Sequence, residues 1–224
     1  MTKGGIASLR FFILSKMVKH LPSTFDIHYS TFAKRIFFAI KFTIKILNKE
    51  DAMQLKDKKV IILVEEMFNV FEFWYPFYRL KEAGAQVTVV GSGRTEEFTG
   101  KPGTQVRPDI NADQVSAGDY DGVVIPGGYA PDMMRRYPAM VQIVKDLFDA
   151  GKVVAAICHA GWMLASANIL DGRKATSFFA IKDDMIHAGA LWMDESVVMD
   201  GNLITSRTPD DLPDFMKAII AALK

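Results

Sequence analysis

The sequence predicts an α/β fold, a three-layer α/β/α sandwich on a mostly parallel sheet, and three observations carry that prediction. Residues 59–64, Lys-Val-Ile-Ile-Leu-Val, form an unbroken apolar run with a charged entry, the pattern of a strand buried on both faces of a parallel sheet. Runs of this kind alternate with stretches of helical character, the order that lays helices against both faces of such a sheet. Finally, the apolar run 153–157 gives way at Cys158 to a helix-like stretch, the strand-to-helix turn of a nucleophile elbow.

Taken in order, residues 71–84 read as a helix after the first strand, closed by Gly84 as its C-cap. Gln86-Val87-Thr88-Val89-Val90-Gly91 reads as the second strand. Gly122-Val123-Val124-Ile125 is another, and it runs into Pro126-Gly127-Gly128. Residues 138–150 read as a helix that delivers the chain to the strand 153–157, and 159–167 read as the helix after the elbow. Residues 196–199 and 203–206 flank Asp200-Gly201-Asn202, a hairpin turn signal. A last helix runs to Leu223; Thr208-Pro209-Asp210-Asp211 suits its start, and Pro213 blurs where it begins. In sheets of this type ligands sit at the carboxyl ends of the strands. Three loops converge there: the one after Val64, the Pro126-Gly127-Gly128 loop and the Cys158 elbow.

Half of the 224 residues are hydrophobic, enough for one large core. The expected organisation is one domain, 56–224, preceded by an extension, 1–55. A net charge of +1 gives no general attraction to nucleic acid. The single cysteine excludes an internal disulfide and fits the reducing cytoplasm. His20, His28, His159 and His187 show no metal-ligand spacing, and neither a metal nor another cofactor is expected.

The extension differs in character. It carries nine lysines and arginines against three acidic residues, with phenylalanines and isoleucines between them. Within 31–47, Phe32, Ile36, Ile40, Ile44 and Leu47 fall at helical spacing. No apolar run approaches the roughly 18 residues of a membrane span. Three readings stay open: contact with an anionic membrane surface, a helical appendage, or an upstream stretch that is not translated, since Met53 lies just ahead of the domain.

The chemistry starts at Cys158. A thiol over the start of a helix, near free backbone N–H groups, is expected to have a lowered pKa and to favour the thiolate. Its alternative is an inert core cysteine. Glu72 lies among Phe71, Phe73, Trp74 and Tyr75; a carboxyl in such a setting is raised in pKa, keeps its proton and can donate to a thiolate. Its alternative is a partly exposed helix glutamate. Gly127 and Gly128 can offer backbone N–H groups to an oxyanion, or form a tight turn only. His159 can act as acid or base, or orient its neighbour.

These residues carry a resemblance. From about Lys58 onward the chain resembles the PfpI-type intracellular protease family, within the wider DJ-one and class I glutamine amidotransferase-like superfamily. The matching stretches are Ala156-Ile157-Cys158-His159, Ile125-Pro126-Gly127-Gly128-Tyr129-Ala130-Pro131-Asp132, and Tyr75-Pro76 with Glu72 four residues before the proline. Gly172-Arg173-Lys174-Ala175-Thr176-Ser177 and the run from Ile181 to Gly189 agree as well. The resemblance implies a flavodoxin-like sheet, with Cys158 as nucleophile, Glu72 as the buried glutamate bonded to it, and His159 as the family's histidine. It makes Gly128 and the His159 N–H the oxyanion donors. Asp132 falls where relatives carry an acid that partners the histidine of a neighbouring subunit, which implies a homo-oligomer with a shared site. Asn69 stands where relatives often have an acid, and Phe178 where many have a tyrosine.

The activities implied are peptide hydrolysis, a cofactor-free glyoxalase reaction and the repair of early glycation adducts. Each begins with a thiolate attacking a carbonyl to give an oxyanion that needs donors. The two apolar or neutral replacements narrow the polar site and favour small dicarbonyls or glycated groups over peptides. A non-enzymatic redox sensor is the rival class: a reactive thiol with no resolving cysteine stops at sulfenic or sulfinic acid. A glutamine amidotransferase is disfavoured, because after His159 only His187 remains, without a glutamate two residues on. A nucleotide-binding module is disfavoured too, since no Gly-rich phosphate loop follows the first strand.

Overall fold

The computed structural model describes residues 54–224; the amphipathic pattern in 31–47 and the readings attached to it lie outside the described residues. The chain runs through β1 (Lys59–Val64), α1 (Val70–Glu82), β2 (Gln86–Gly91), β3 (Phe98–Thr99), β4 (Gln105–Val106) and β5 (Ile110–Asn111). It continues with β6 (Gly122–Ile125), α2 (Ala130–Met134), α3 (Pro138–Asp149), β7 (Val153–Ile157) and α4 (Gly161–Ser166). The last part holds β8 (Lys174–Ala175), α5 (Lys182–His187), β9 (Leu191–Trp192), β10 (Val197–Asp200), β11 (Leu203–Ser206) and α6 (Leu212–Leu223).

Seven strands form the central sheet in the order β10-β11-β7-β6-β1-β2-β5. All neighbours pair in parallel except β10, which returns antiparallel to β11 through the hairpin at Gly201. The four apolar runs legible in the sequence, β1, β2, β6 and β7, occupy the centre, where Val60 of β1 sits between Val87 of β2 and Gly122 of β6. Val60 to Val64 are buried on both faces because α1 and α6 pack together over one side while α2, α3, α4 and α5 cover the other. That double cover is why these strands read as apolar runs rather than as alternation.

Local chemistry sets the element ends. Asn69 caps α1, its Oδ1 accepting the N–H groups of Phe71 and Glu72 at 3.0 and 3.3 Å. Gly84, expected as the C-cap, lies one residue beyond Ala83 and takes the left-handed backbone at φ 94°. Pro213 falls in the first turn of α6, where its missing N–H would have no helical partner anyway. The predicted helix over 159–167 is tighter and shorter: Cys158–Ala160 form a 3-10 turn, and only Gly161–Ser166 are α-helical. The pairs β3–β4 and β8–β9, and the edge strand β5, were not expected. Each is two residues long, too short to leave a periodic signature.

Candidate active site

β7 ends in the elbow. Ile157 is still extended, and Cys158 takes φ 63°, a left-handed backbone that costs a non-glycine residue of order 1–3 kcal/mol and persists only where its surroundings enforce it. The enforcement is visible. Phe178 donates its N–H to Cys158 O at 3.2 Å. On the other side the Gly127–Gly128 loop lies so close that a Cβ on Gly127 would fall 2.7 Å from Cys158 Cβ.

That loop is laced to the one after β1. Asn69 N–H donates to Gly127 O at 3.2 Å, Tyr129 N–H donates to Met67 O at 3.0 Å, and Phe68 bridges Gly128. Gly128 takes φ 75°, and a Cβ there would stand 2.5 Å from Asn69 N. Glycine is required here by both backbone and space.

Glu72 points from the second residue after the start of α1 into this junction and is fully buried. Its Oε2 accepts the Gly127 N–H at 2.7 Å. Its Oε1 is buried without a partner of full hydrogen-bond geometry, and the carboxyl lies near enough to the Cys158 thiol to interact with it. Burial pushes the Glu72 carboxyl up to about 7, against the pull of the Gly127 N–H and the thiol. The direction of that shift is the one expected for a carboxyl in an apolar setting.

Two expectations need correction. The first concerns the thiol, which was expected below its ordinary pKa. Burial and then the Glu72 charge push it up to about 12. The N–H groups of Gly128 and His159 do bond the sulfur and pull the other way, but they are outweighed, and the helix behind them is only a short one. The second concerns Gly127, expected as an oxyanion donor. Its N–H is committed to Glu72, so it positions the carboxyl, and Gly128 and His159 remain as the donors at the sulfur.

His159 presents Nδ1 at 3.2 Å from Cys158 Sγ. Its ring stacks on Phe178, centroids 5.0 Å apart, and meets Trp162 at 5.2 Å. Burial lowers its pKa, which favours the neutral imidazole. Asp132 lies on α2 and forms its ion pair with Arg136; the structure does not bring it to His159 of the same chain. No cluster of three or more His, Cys, Asp or Glu side chains among the described residues is arranged to hold a metal, and no described helix is long and apolar enough to cross a membrane.

Sequence reasoning missed the capping role of Asn69, although Asn69 with Glu72 three residues on is a recognisable helix-start pair. It also missed the fully buried Glu65, whose Oε1 accepts from Arg94 at 3.0 Å. Arg94 lies 29 residues away, and only the pairing of β1 with β2 brings the two together.

A cysteine on a left-handed elbow at the carboxyl edge of a parallel sheet, facing a buried glutamate and flanked by a histidine, defines a class of α/β proteins with a single elbow thiol. The sequence profile of the DJ-1/PfpI family matches residues 58–222, and the chain belongs to that family. An uncharacterized protein of Archaeoglobus fulgidus is 50% identical over 166 residues, which cover 74% of this chain and 98% of the relative. The deglycase PfpI of Pyrococcus furiosus is 42% identical over 74% of this chain and 99% of its own length. Among solved structures, a two-domain protein of Anabaena variabilis with DJ-1/ThiJ/PfpI-like and ferritin-like domains superposes with a TM-score of 0.73 at 46% identity. The match covers 75% of this chain and 48% of that one, so this chain spans about half of that protein.

Proposed function

We propose that this protein is a cofactor-independent cysteine enzyme acting on reactive carbonyls, a glyoxalase or deglycase working through a thiohemiacetal on Cys158. One observation carries the reading: the Glu72 carboxyl, His159 Nδ1 and the N–H groups of Gly128 and His159 all converge on one sulfur. The name of the Pyrococcus furiosus relative, deglycase, supports the same chemistry.

The proton accounting follows from the two raised pKa values. Glu72 and Cys158 interact, so the pair loses its protons in two steps. The first leaves near pH 7, where Glu72 titrates, and the second is pushed to about 12. Between them the pair holds one proton. That proton rests mainly on the sulfur; transferred to Glu72 it leaves a thiolate receiving a hydrogen bond, and this minor form is the attacking one.

For methylglyoxal, Sγ bonds to the aldehyde carbon and the carbonyl electron pair moves to oxygen, beside the Gly128 and His159 N–H groups. That oxygen takes up a proton to complete the thiohemiacetal. The neutral imidazole then removes the hydrogen from the same carbon and returns it to the adjacent one, while the hydroxyl proton on the first carbon passes to the neighbouring ketone oxygen. The product is a lactoyl thioester. Water attacks its carbonyl, the sulfur leaves and regains its place in the proton-sharing pair, and lactate departs. No electrons are gained or lost overall, consistent with the expectation of no cofactor.

We further propose that the working unit is a homo-oligomer in which Asp132 of one copy supports His159 of another, and that it operates in the reducing cytoplasm, where its lone thiol stays reduced. The activity is tested by lactate formation from methylglyoxal without glutathione, for wild type and Cys158→Ala. Turnover in the wild type and less than a few per cent in the variant is expected. No turnover with a thiol still readily alkylated contradicts the carbonyl reading and points to peptide hydrolysis or redox sensing.

A further inference from the structure

The surface beside the nucleophile is built of rings. His159, in contact with Sγ, stacks on Phe178 at 5.0 Å and 30°. Phe178 meets Phe179 at 4.7 Å, and Phe179 stands 73% exposed. Trp162 closes the other side of the imidazole, its Nε1 already donated to Asp184 at 2.8 Å. The Phe178 N–H bond to Cys158 O ties this wall to the elbow. The result is an aromatic track from the sulfur to solvent, and its rings Phe178 and Phe179 carry no polar group.

The track offers a substrate's substituent a place beside the sulfur. The oxygen formed at the attacked carbon is drawn to the Gly128 and His159 N–H groups. The Gly127 side is closed, since even a methyl group there would touch Cys158 and Glu72. Phe178, stacked on the imidazole that touches Sγ, and the exposed Phe179 beside it line a direction leading away from the sulfur. A charged or strongly polar substituent placed there sheds water and finds no partner on these rings, whereas an aryl group finds offset or edge contacts.

We infer that Phe178 and Phe179 form a subsite for the apolar, preferably aryl, substituent of an α-oxoaldehyde, so that arylglyoxals are preferred to methylglyoxal. The inference rests on the carbonyl chemistry proposed for Cys158. It makes the two phenylalanines specificity-determining residues for that reaction.

The test uses the full chain with phenylglyoxal and methylglyoxal, without glutathione, for wild type, Phe178→Leu and Phe179→Ala. Wild type favours phenylglyoxal in kcat/KM by about tenfold, the order that one aromatic contact supplies, and the ratio falls towards one in both variants. The exposed position of Phe179 keeps the test open even where Phe178→Leu folds poorly. A wild-type ratio of one or less, or a ratio that both replacements leave intact, overturns the subsite. Loss of oligomerisation in Phe179→Ala with the ratio intact also overturns it, because the ring then serves a protein interface.

A second arm separates this inference from the functional reading. Phenacyl bromide and bromoacetone alkylate Cys158 without turnover: the Sγ–C bond forms, the C–Br bond breaks, bromide leaves, and the thiol proton passes to Glu72 or His159. Each rate is divided by that reagent's rate with a free small thiol. A phenacyl preference of about tenfold that both variants lose upholds the subsite even where neither dicarbonyl is turned over, in which case only the glyoxalase reading fails. No phenacyl preference overturns the subsite.

Discussion

At the scale of residues, the proposed chemistry depends on one proton shared between two buried groups. Glu72 is the sharpest probe, because Gln keeps its shape and its acceptor for the Gly127 N–H but cannot hold or release that proton. Glu72→Gln is expected to lower kcat/KM by about a hundredfold or more. Wild-type activity is expected to rise through pH 7, as the pair loses its first proton, and the variant to lose that rise. Stability moves the other way. A carboxyl raised from 4.5 to about 7 by burial stabilises the fold below its unfolded pKa relative to above its folded one, by roughly 3 kcal/mol. Urea unfolding at pH 5 and pH 8 is therefore expected to show the wild type losing stability relative to Glu72→Gln as pH rises through 5 to 7. An identical pH dependence in both proteins contradicts a buried, proton-holding Glu72.

Among elements, the reliably legible ones were those with period or length on their side. β1, β2, β6 and β7 read as apolar runs because both their faces are covered, and α3 reads as a helix from its spacing. Cys158 was legible as an elbow because a strand pattern ends one residue before it. The thiol's pKa was not, because its direction is set by burial that only packing determines and then by Glu72, 86 residues earlier. The role of Gly127 was illegible for the same reason: a Pro-Gly-Gly turn shows that N–H groups are free to point inward, not which partner takes them. Asn69 links the two levels. It caps α1, a contribution of about 1 kcal/mol, and it joins the α1 start to Gly127 O, so the same residue fixes both the helix carrying Glu72 and the loop that holds its carboxylate oxygen.

For the whole molecule, the relatives say which part of the chain forms the conserved unit: the match covers 98–99% of those proteins but 74% of this one. Of the residues proposed for the site, Asp132 stands apart, its carboxylate paired with Arg136. A role for it in another copy predicts that light scattering finds a dimer or larger assembly, and that Asp132→Asn lowers kcat without changing that assembly. A fully active monomer removes Asp132 from the mechanism. The central claim is that Cys158 Sγ itself bonds to the substrate carbon. It is tested most directly by acid-quenching the full-length protein during methylglyoxal turnover and mapping the adduct by peptide mass. The account predicts a lactoyl thioester or thiohemiacetal on the peptide holding Cys158, absent from Cys158→Ala. Steady lactate formation with Cys158 unmodified, or undiminished in Cys158→Ala, would contradict it.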